Sequence, residues 1–492
     1  MVSQHGVLLA VGIISDHFGP LVSKVFGCLL RHGALSLQEI VRRLELSPGG
    51  AAGKTVTLYL AIFDNVLHRL RFPKFLAIVR ADIPESEDLL EGLLLNGRLT
   101  FDQLVERTMS KVPEGSIPPS REEIRMNFNK LVYSHYVERC PKPEPFFDPL
   151  VDEQSTSTRK RAHKESVENV LSLEQKVVNT AALSNGERFS EIPYTMDGVL
   201  DAKDSIHDDV AGRKRKHEAL EEDDELSTIA ENEVLWRANF EKFVFCLKKK
   251  FCAERKKPTL KLGTHPIWEA FFEANAIEKD NKSVTSPING IFERLGQKEG
   301  VTSMTLDQIK RILADLKCFP SGDNTEEFTF DLSEMVETCR TEEIQSLVKK
   351  KYGQEAFLIF RLLAKEGRLV ETDTITDTTI LDKQVVHEIL YKLWKDEYID
   401  AEKVVSATGS GNAQFFVWKV KNTYQEHFID NLYHAALNLR QMVNCMAELI
   451  LEVRPHHECR GVKDETVLRS RKNMLILALN RHDESLMLFH DY

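Results

Sequence analysis

YGQEAFLIFRLLAKEGRLVETDTITDTTILDKQVVHEILYKLWKDEYIDAEKVVSATGSGNAQFFVWKVK, residues 352–421, reads as a complete small domain without gaps. Residues 354–366 carry Phe357, Leu358, Phe360 and Leu362 at helical spacing, and Gly367 follows where a helix would stop. Residues 369–381 form a short, Thr-rich second segment. Asp382 caps a third helix, 383–397, whose Val386, Ile389, Leu390 and Leu393 share one face. Residues 398–401 read as a strand, Thr408-Gly-Ser-Gly-Asn412 as a turn, and QFFVWKV, 414–420, as the returning strand. Three helices and a hairpin make a winged helix, which binds nucleic acid or protein and has no chemistry of its own.

Working outward, the phrase that joins the first two helices recurs. An apolar helix over 7–31 stops at Gly33, and Ser36 with Glu39 then has the spacing of a capping box. Residues 89–96 stop at Gly97, and Thr100 with Gln103 repeats the box. Gly367-Arg-Leu369 keeps the stop and the inward Leu without the box. Such recurrence implies a repeated domain. The second copy continues through a third capping box, Ser120 and Glu123, into a helix with Ile124, Phe128, Leu131 and Val132 on one face, and 136–139 is its strand.

Residues 151–232 are polar and charged with few aromatics, too little apolar surface to offset chain entropy, and read as a disordered linker. Its basic clusters, Arg159-Lys160-Arg161 and Arg213-Lys214-Arg215-Lys216, are candidate nuclear-import signals, or charge that merely solvates the linker. Trp236, Phe240, Phe243 and Leu247 then fall on a helical stripe running into Lys248-Lys-Lys250, with aromatics expected inward and lysines in water. Helices over 268–274, 287–295 and 306–316 and a strand at 328–332 suggest a third, less regular unit. Residues 424–453 and 467–492 pair as a helical hairpin or short coiled coil.

At 492 residues the chain is too long for one ordinary core. A net charge of −11 argues against a free-standing DNA-binding protein, so contact with nucleic acid is expected to be local. No stretch reads as a membrane span or signal peptide, and an intracellular protein is expected. The eight cysteines show no C-x-x-C pair and read as reduced packing residues.

Chemistry is poorly represented. Pro48-Gly-Gly-Ala-Ala-Gly53-Lys54-Thr55 is one residue from a phosphate-binding loop, but it follows a helix rather than a buried strand, and no magnesium-binding Asp follows downstream. An ATPase reading predicts nucleotide binding through Lys54. His456-His457-Glu-Cys459 reads as a solvated turn rather than a metal site. No catalytic, cofactor or metal residues are assigned.

Taken together, His17-Phe-Gly19, Arg71-Phe-Pro-Lys-Phe75, Leu93-Leu-Leu-Asn-Gly-Arg-Leu-Thr100, Arg139-Cys-Pro141, Leu235-Trp-Arg-Ala-Asn-Phe240 and Tyr352-Gly with Ile359-Phe-Arg-Leu362 resemble the winged-helix subunit of eukaryotic RNA polymerase III that anchors its initiation heterotrimer. The resemblance implies a mainly α fold with small β-wings, in which tandem winged helices precede a C-terminal helical hairpin or coiled coil. The expected divisions are winged helices at 1–80, 84–145, 233–335 and 336–421, a linker at 146–232 and the hairpin at 422–492. It further implies a non-catalytic nuclear subunit that docks on the polymerase clamp with two smaller partners. That subunit helps open promoter DNA, with no cofactor, membrane or small-molecule substrate. Lys383, His387, Lys392 and Lys395 are the candidate DNA contacts. Only ten residues separate Leu46 from Thr57, so the first copy is expected to lack its third helix. Either 57–71 substitutes, with Ile62, Phe63, Val66 and Leu70 as a core face, or the Gly49–Gly53 run is a junction in a variant chain. The alternative assembly is a winged-helix scaffold of another complex, in which the domains mediate only protein contacts.

Overall fold

The structure, a computed structural model, describes residues 2–44, 57–111, 119–141, 183–191, 234–260, 264–274, 282–297, 304–321, 324–408, 411–421, 423–453 and 461–492. The phosphate-loop-like run, both basic clusters and His456–Cys459 lie outside these residues. The fold is mainly helical with small antiparallel sheets, and the chain divides into two compact units, 1–68 with 244–492, and 69–243.

In the first unit, helix α1 (Gln4–His32) is capped by Ser3, whose hydroxyl accepts from the Gly6 N–H at 3.1 Å. Gly19, at φ 84°, and Pro20 interrupt it, since proline removes an N–H and crowds the preceding turn. Helix α1 is long and apolar enough to cross a membrane by composition, contrary to the sequence expectation. Its apolarity has a local use: Leu9, Ala10 and Ile13 are fully buried. Gly33 ends the helix at φ 78°, strand β1 (Leu35–Ser36) follows, and the Ser36–Glu39 box opens α2 (Leu37–Arg43). Strand β2 (Leu58–Tyr59) pairs antiparallel with β1, and α3 (Phe63–His68) buries Phe63, Val66 and Leu67. Ile62, expected on that face, is 53% exposed because it precedes the helix, and Leu67 takes its place.

Within residues 69–243, α4 (Phe72–Asp82) precedes α5 (Glu87–Asn96), which ends at Gly97 with φ 82°. The Thr100–Gln103 box starts α6 (Phe101–Ser110), and Ser120 caps α7 (Arg121–Tyr133). Strand β3 (Val137–Arg139) is followed, inside the polar segment, by the short helix α8 (Asn185–Arg188). The partner of β3 is β4 (Trp236–Ala238), from the far side of that segment. Trp236 also exchanges both backbone hydrogen bonds with Leu99, at 2.9 and 3.1 Å. Its ring is 1% exposed and meets Phe128 edge-on at 5.1 Å, worth about 0.5–1.5 kcal/mol beyond burial. Trp236 therefore leaves the helical stripe expected from spacing, because strand pairing satisfies its backbone. Helix α9 (Phe240–Lys256) keeps the remainder: Phe243 is buried and stacks on Phe75 at 4.8 Å. Lys248 departs from the expected wet face, being buried at 7% exposure.

Returning to the first unit, α10 (His265–Glu273), β5 (Ser283–Pro287), α11 (Ile288–Gln297), α12 (Leu306–Asp315), β6 (Phe319–Ser321) and β7 (Asn324–Asp331) form a sheet of order β5-β7-β6 with its helices. The Lys256 ammonium lies 4.8 Å from the Trp268 ring centre and 4.7 Å from that of Phe330 while donating to the Leu316 carbonyl. Burial lowers its pKa. Helix α13 (Leu332–Tyr352) leads into α14 (Gln354–Glu366), β8 (Val370–Glu371), α15 (Thr372–Thr379), α16 (Lys383–Lys395), β9 (Ile399–Thr408) and β10 (Gly411–Val420), with sheet order β8-β10-β9. Both groups run helix, strand, helix, helix, strand, strand, with the last strand central.

Three groups also share a helix ending that spacing did not reveal. After α7, α12 and α16, His135, Lys317 and Glu397 adopt left-handed φ of 62°, 64° and 63°. The next amide in each case, Tyr136, Cys318 or Tyr398, donates to Leu131, Leu313 or Leu393 at 2.9 Å. That six-to-one bond closes a Schellman motif and turns the chain from third helix into wing.

Helices α17 (Tyr424–Val453) and α18 (Gly461–Leu486) pair antiparallel: Phe428 meets Phe489 at 4.6 Å, and further along α17 the Leu432 carbonyl meets His482 at 2.8 Å. This hairpin supports the N-terminal elements. His5 pairs with Asp430 at 2.7 Å and Asp16 with Arg440 at 2.9 Å. Phe63 packs edge-on against Tyr433 and His490 at 5.6 and 5.5 Å.

Candidate nucleic-acid interface

Helix α16 is held in place from three directions. Asp382 accepts from the Gln384 N–H at 2.9 Å, Val386, Ile389, Leu390 and Leu393 are buried, and Asp396 is tied to the end of α13. Lys351 donates to Asp396 at 2.6 Å, the Tyr352 hydroxyl donates to the same carboxylate, and both bonds lower the Asp396 pKa. Burial, helped by the Asp396 carboxylate, pushes the Tyr352 phenol well up. The adjacent wing is anchored by Trp418, whose indole donates to the Thr372 hydroxyl at 2.9 Å.

Lys383, His387, Lys392 and Lys395 all lie on the exposed side of α16. At 3.6 residues per turn they spread over roughly 180° of the helix, with Lys383 and Lys392 at opposite borders. The two border lysines already have carboxylates: Lys383 reaches Asp373 at 2.6 Å, and Lys392 reaches Glu388 at 2.6 Å. Asp373 raises the Lys383 pKa, and the hydrogen bond from Lys392 lowers that of Glu388. Solvent screens exposed pairs of this kind and leaves them weak, so a phosphate can exchange for either carboxylate at little cost.

Between these borders the face is aromatic. Tyr391 and Trp394 are 57% and 48% exposed with ring centres 6.0 Å apart, and Phe416 on the wing is 49% exposed. The sequence carries this signal, since Tyr391 and Trp394 each follow a buried leucine, Leu390 or Leu393, and so turn out of the core stripe. The face thus offers planar rings for stacking or docking, flanked by exchangeable cations.

Comparison with known proteins shows what the chain that carries this face is similar to. The helix-turn-helix domain of RNA polymerase III subunit RPC82 matches residues 8–50, the model of the subunit itself matches 126–327, and the C-terminal winged-helix domain of POLR3C matches 344–420. The DNA-directed RNA polymerase III subunit RPC3 of Bos taurus is 20% identical over 432 residues, 82% of this chain and 76% of that protein. The subunit RPC3 of Danio rerio is 21% identical over 430 residues, 80% of this chain and 75% of its own length. The rpc3 of Dictyostelium discoideum is 28% identical over 165 residues, 31% of this chain and 24% of its own. These matches fall in order along the sequence, and relatives named RNA polymerase III subunit RPC3 align across most of it, so the chain is similar over most of its length to RNA polymerase III subunits of the RPC82 and RPC3 type.

Proposed function

We propose that this protein is a non-catalytic subunit of DNA-directed RNA polymerase III, acting in transcription initiation of small untranslated RNA genes in the nucleus. It docks on the polymerase clamp with two smaller partner subunits and assists promoter opening through its winged helices. The observation that carries the reading is the succession of three matches to one subunit, 8–50, 126–327 and 344–420. In the second module the wing strand at 137–139 pairs with 236–238, from the far side of the polar segment.

On α16, Lys383, His387, Lys392 and Lys395 contact promoter DNA, and Tyr391 and Trp394 supply the stacking surface. Affinity purification of the tagged chain is expected to recover the polymerase core and two smaller subunits, and recovery of an unrelated assembly instead would overturn the assignment. For the DNA contact, charge reversal at Lys383 and Lys395 is expected to reduce open-promoter complexes. Unchanged promoter opening by a polymerase carrying that variant assigns the face to protein. The existing carboxylate partners of Lys383 and Lys392 favour this second reading, in which the aromatic pair docks a neighbouring subunit.

A further inference from the structure

Within the polar segment, residues 183–191 are described, and 142–182 and 192–233 on either side are not. The stretch is built as a ligand. Ser184 and Glu187 form a capping box: the Glu187 N–H donates to the Ser184 hydroxyl at 3.4 Å, and the Ser184 N–H donates to the Glu187 carboxylate at 3.0 Å. The Arg188 N–H donates to the Ser184 carbonyl at 2.8 Å, closing one turn. A four-residue turn is far below the length at which an isolated helix persists, so tertiary contacts must hold it.

Those contacts are concentrated on two side chains. The Arg188 guanidinium donates to Glu138 on β3 and, at 3.1 Å, to Glu241 in the first turn of α9. Glu138 is 3% exposed and also accepts from Arg237 on β4 at 2.7 Å. A carboxylate this deep requires pairing, and Arg188 completes its second oxygen. Phe189 stacks on the His135 ring at 4.0 Å with planes 19° apart. Arg139 reaches the Glu191 carbonyl at 3.5 Å, at the outer limit for a hydrogen bond.

We propose that the wing β3–β4, with His135 and Glu241 at its flanks, is a docking site for a short peptide of the form helical turn, arginine, aromatic, and that this chain fills it with its own residues 184–191. The acidic element of the site is Glu138 with Glu241, the aromatic element is His135, and the peptide supplies their complements. Because the segment belongs to the same chain, its docking is intramolecular, which favours filling a site whose affinity for the free peptide is modest. The contact pins the middle of the polar segment to the second module. It stands whether or not the polymerase assignment holds.

Hydrogen exchange on the full-length chain tests it. The amides of Glu187, Arg188 and Phe189 are expected to be protected, and Arg188→Glu or Phe189→Asp is expected to speed their exchange at least tenfold while α7 keeps its rates. A labelled peptide LSNGERFSE, residues 183–191, is then expected to bind the Arg188→Glu, Phe189→Asp double variant in trans, and a scrambled peptide is not. Unprotected amides in the parent chain, or equal binding of the two peptides, overturns the proposal.

Discussion

The first and last of the repeated modules begin alike and are completed differently. In the fourth, α14 to β10 supply three helices, a three-stranded sheet and a buried face on the third helix. In the first, α1, β1 and α2 follow the same plan, but the described chain resumes at 57 with β2 and the short α3. The long hairpin α17–α18 supplies what α3 is too short to provide: Tyr433 and His490 enclose Phe63, and Asp430 and Arg440 hold His5 and Asp16. In the fourth module the third helix buries Val386, Ile389, Leu390 and Leu393, and Phe360 on α14 also meets Tyr424 at 6.2 Å. In the first, the six-residue α3 buries Phe63 against a neighbouring element.

The largest expected effect comes from removing that dependence. Phe63→Ala should cost about 3–5 kcal/mol, and hydrogen exchange should show α1–α3 losing protection while α14–α16 keep theirs. Equal loss in both regions would break the contrast. Leu390→Ala in α16 should cost about 2–5 kcal/mol, with faster exchange confined to 354–420. Spread of that effect into α17 and α1 would show that the fourth module is not self-contained.

Acid provides a third, smaller effect. The hydrogen bond from His490 lowers the Asp64 pKa from its ordinary 3.8 against the opposing influence of burial. The contribution is therefore complete above about pH 3.8 and drains away as pH falls through the lowered value. Protection factors in α3, corrected for the pH dependence of intrinsic exchange, should stay constant down to that point and fall below it, and Asp64→Asn should remove the acid-dependent step. The smallest effect is a gain: Glu397→Gly relieves a left-handed non-glycine residue and should slightly raise the denaturant midpoint of the fourth module. The first module shows no residue of this kind among its described positions, so the substitution has no counterpart there.

Much of the fold was legible because its punctuation is local. Gly33, Gly97 and Gly367 take positive φ as the helix stops expected of them, and the boxes at Ser36 and Thr100 form within four residues. The core stripe Val386, Ile389, Leu390 and Leu393 is likewise set by helical period alone. Trp236 was misread for the opposite reason. Its helical spacing with Phe240 is real, but its backbone partners are Leu99 and Arg139, beyond the reach of any periodicity. At the candidate interface the exposure of all four basic residues follows from the stripe, whereas the carboxylates opposite Lys383 and Lys392 mix one remote and one local partner.

By itself, the sequence determined many of the helices and several of their starts and stops, because caps, glycine stops and apolar period act over a few residues. Tertiary structure alone decided that β4 closes the wing of the second module, that Arg188 and Phe189 dock there, and that the C-terminal hairpin completes the first module. Each of these joins residues far apart in the chain, and such contacts form only when distant surfaces match in shape and charge.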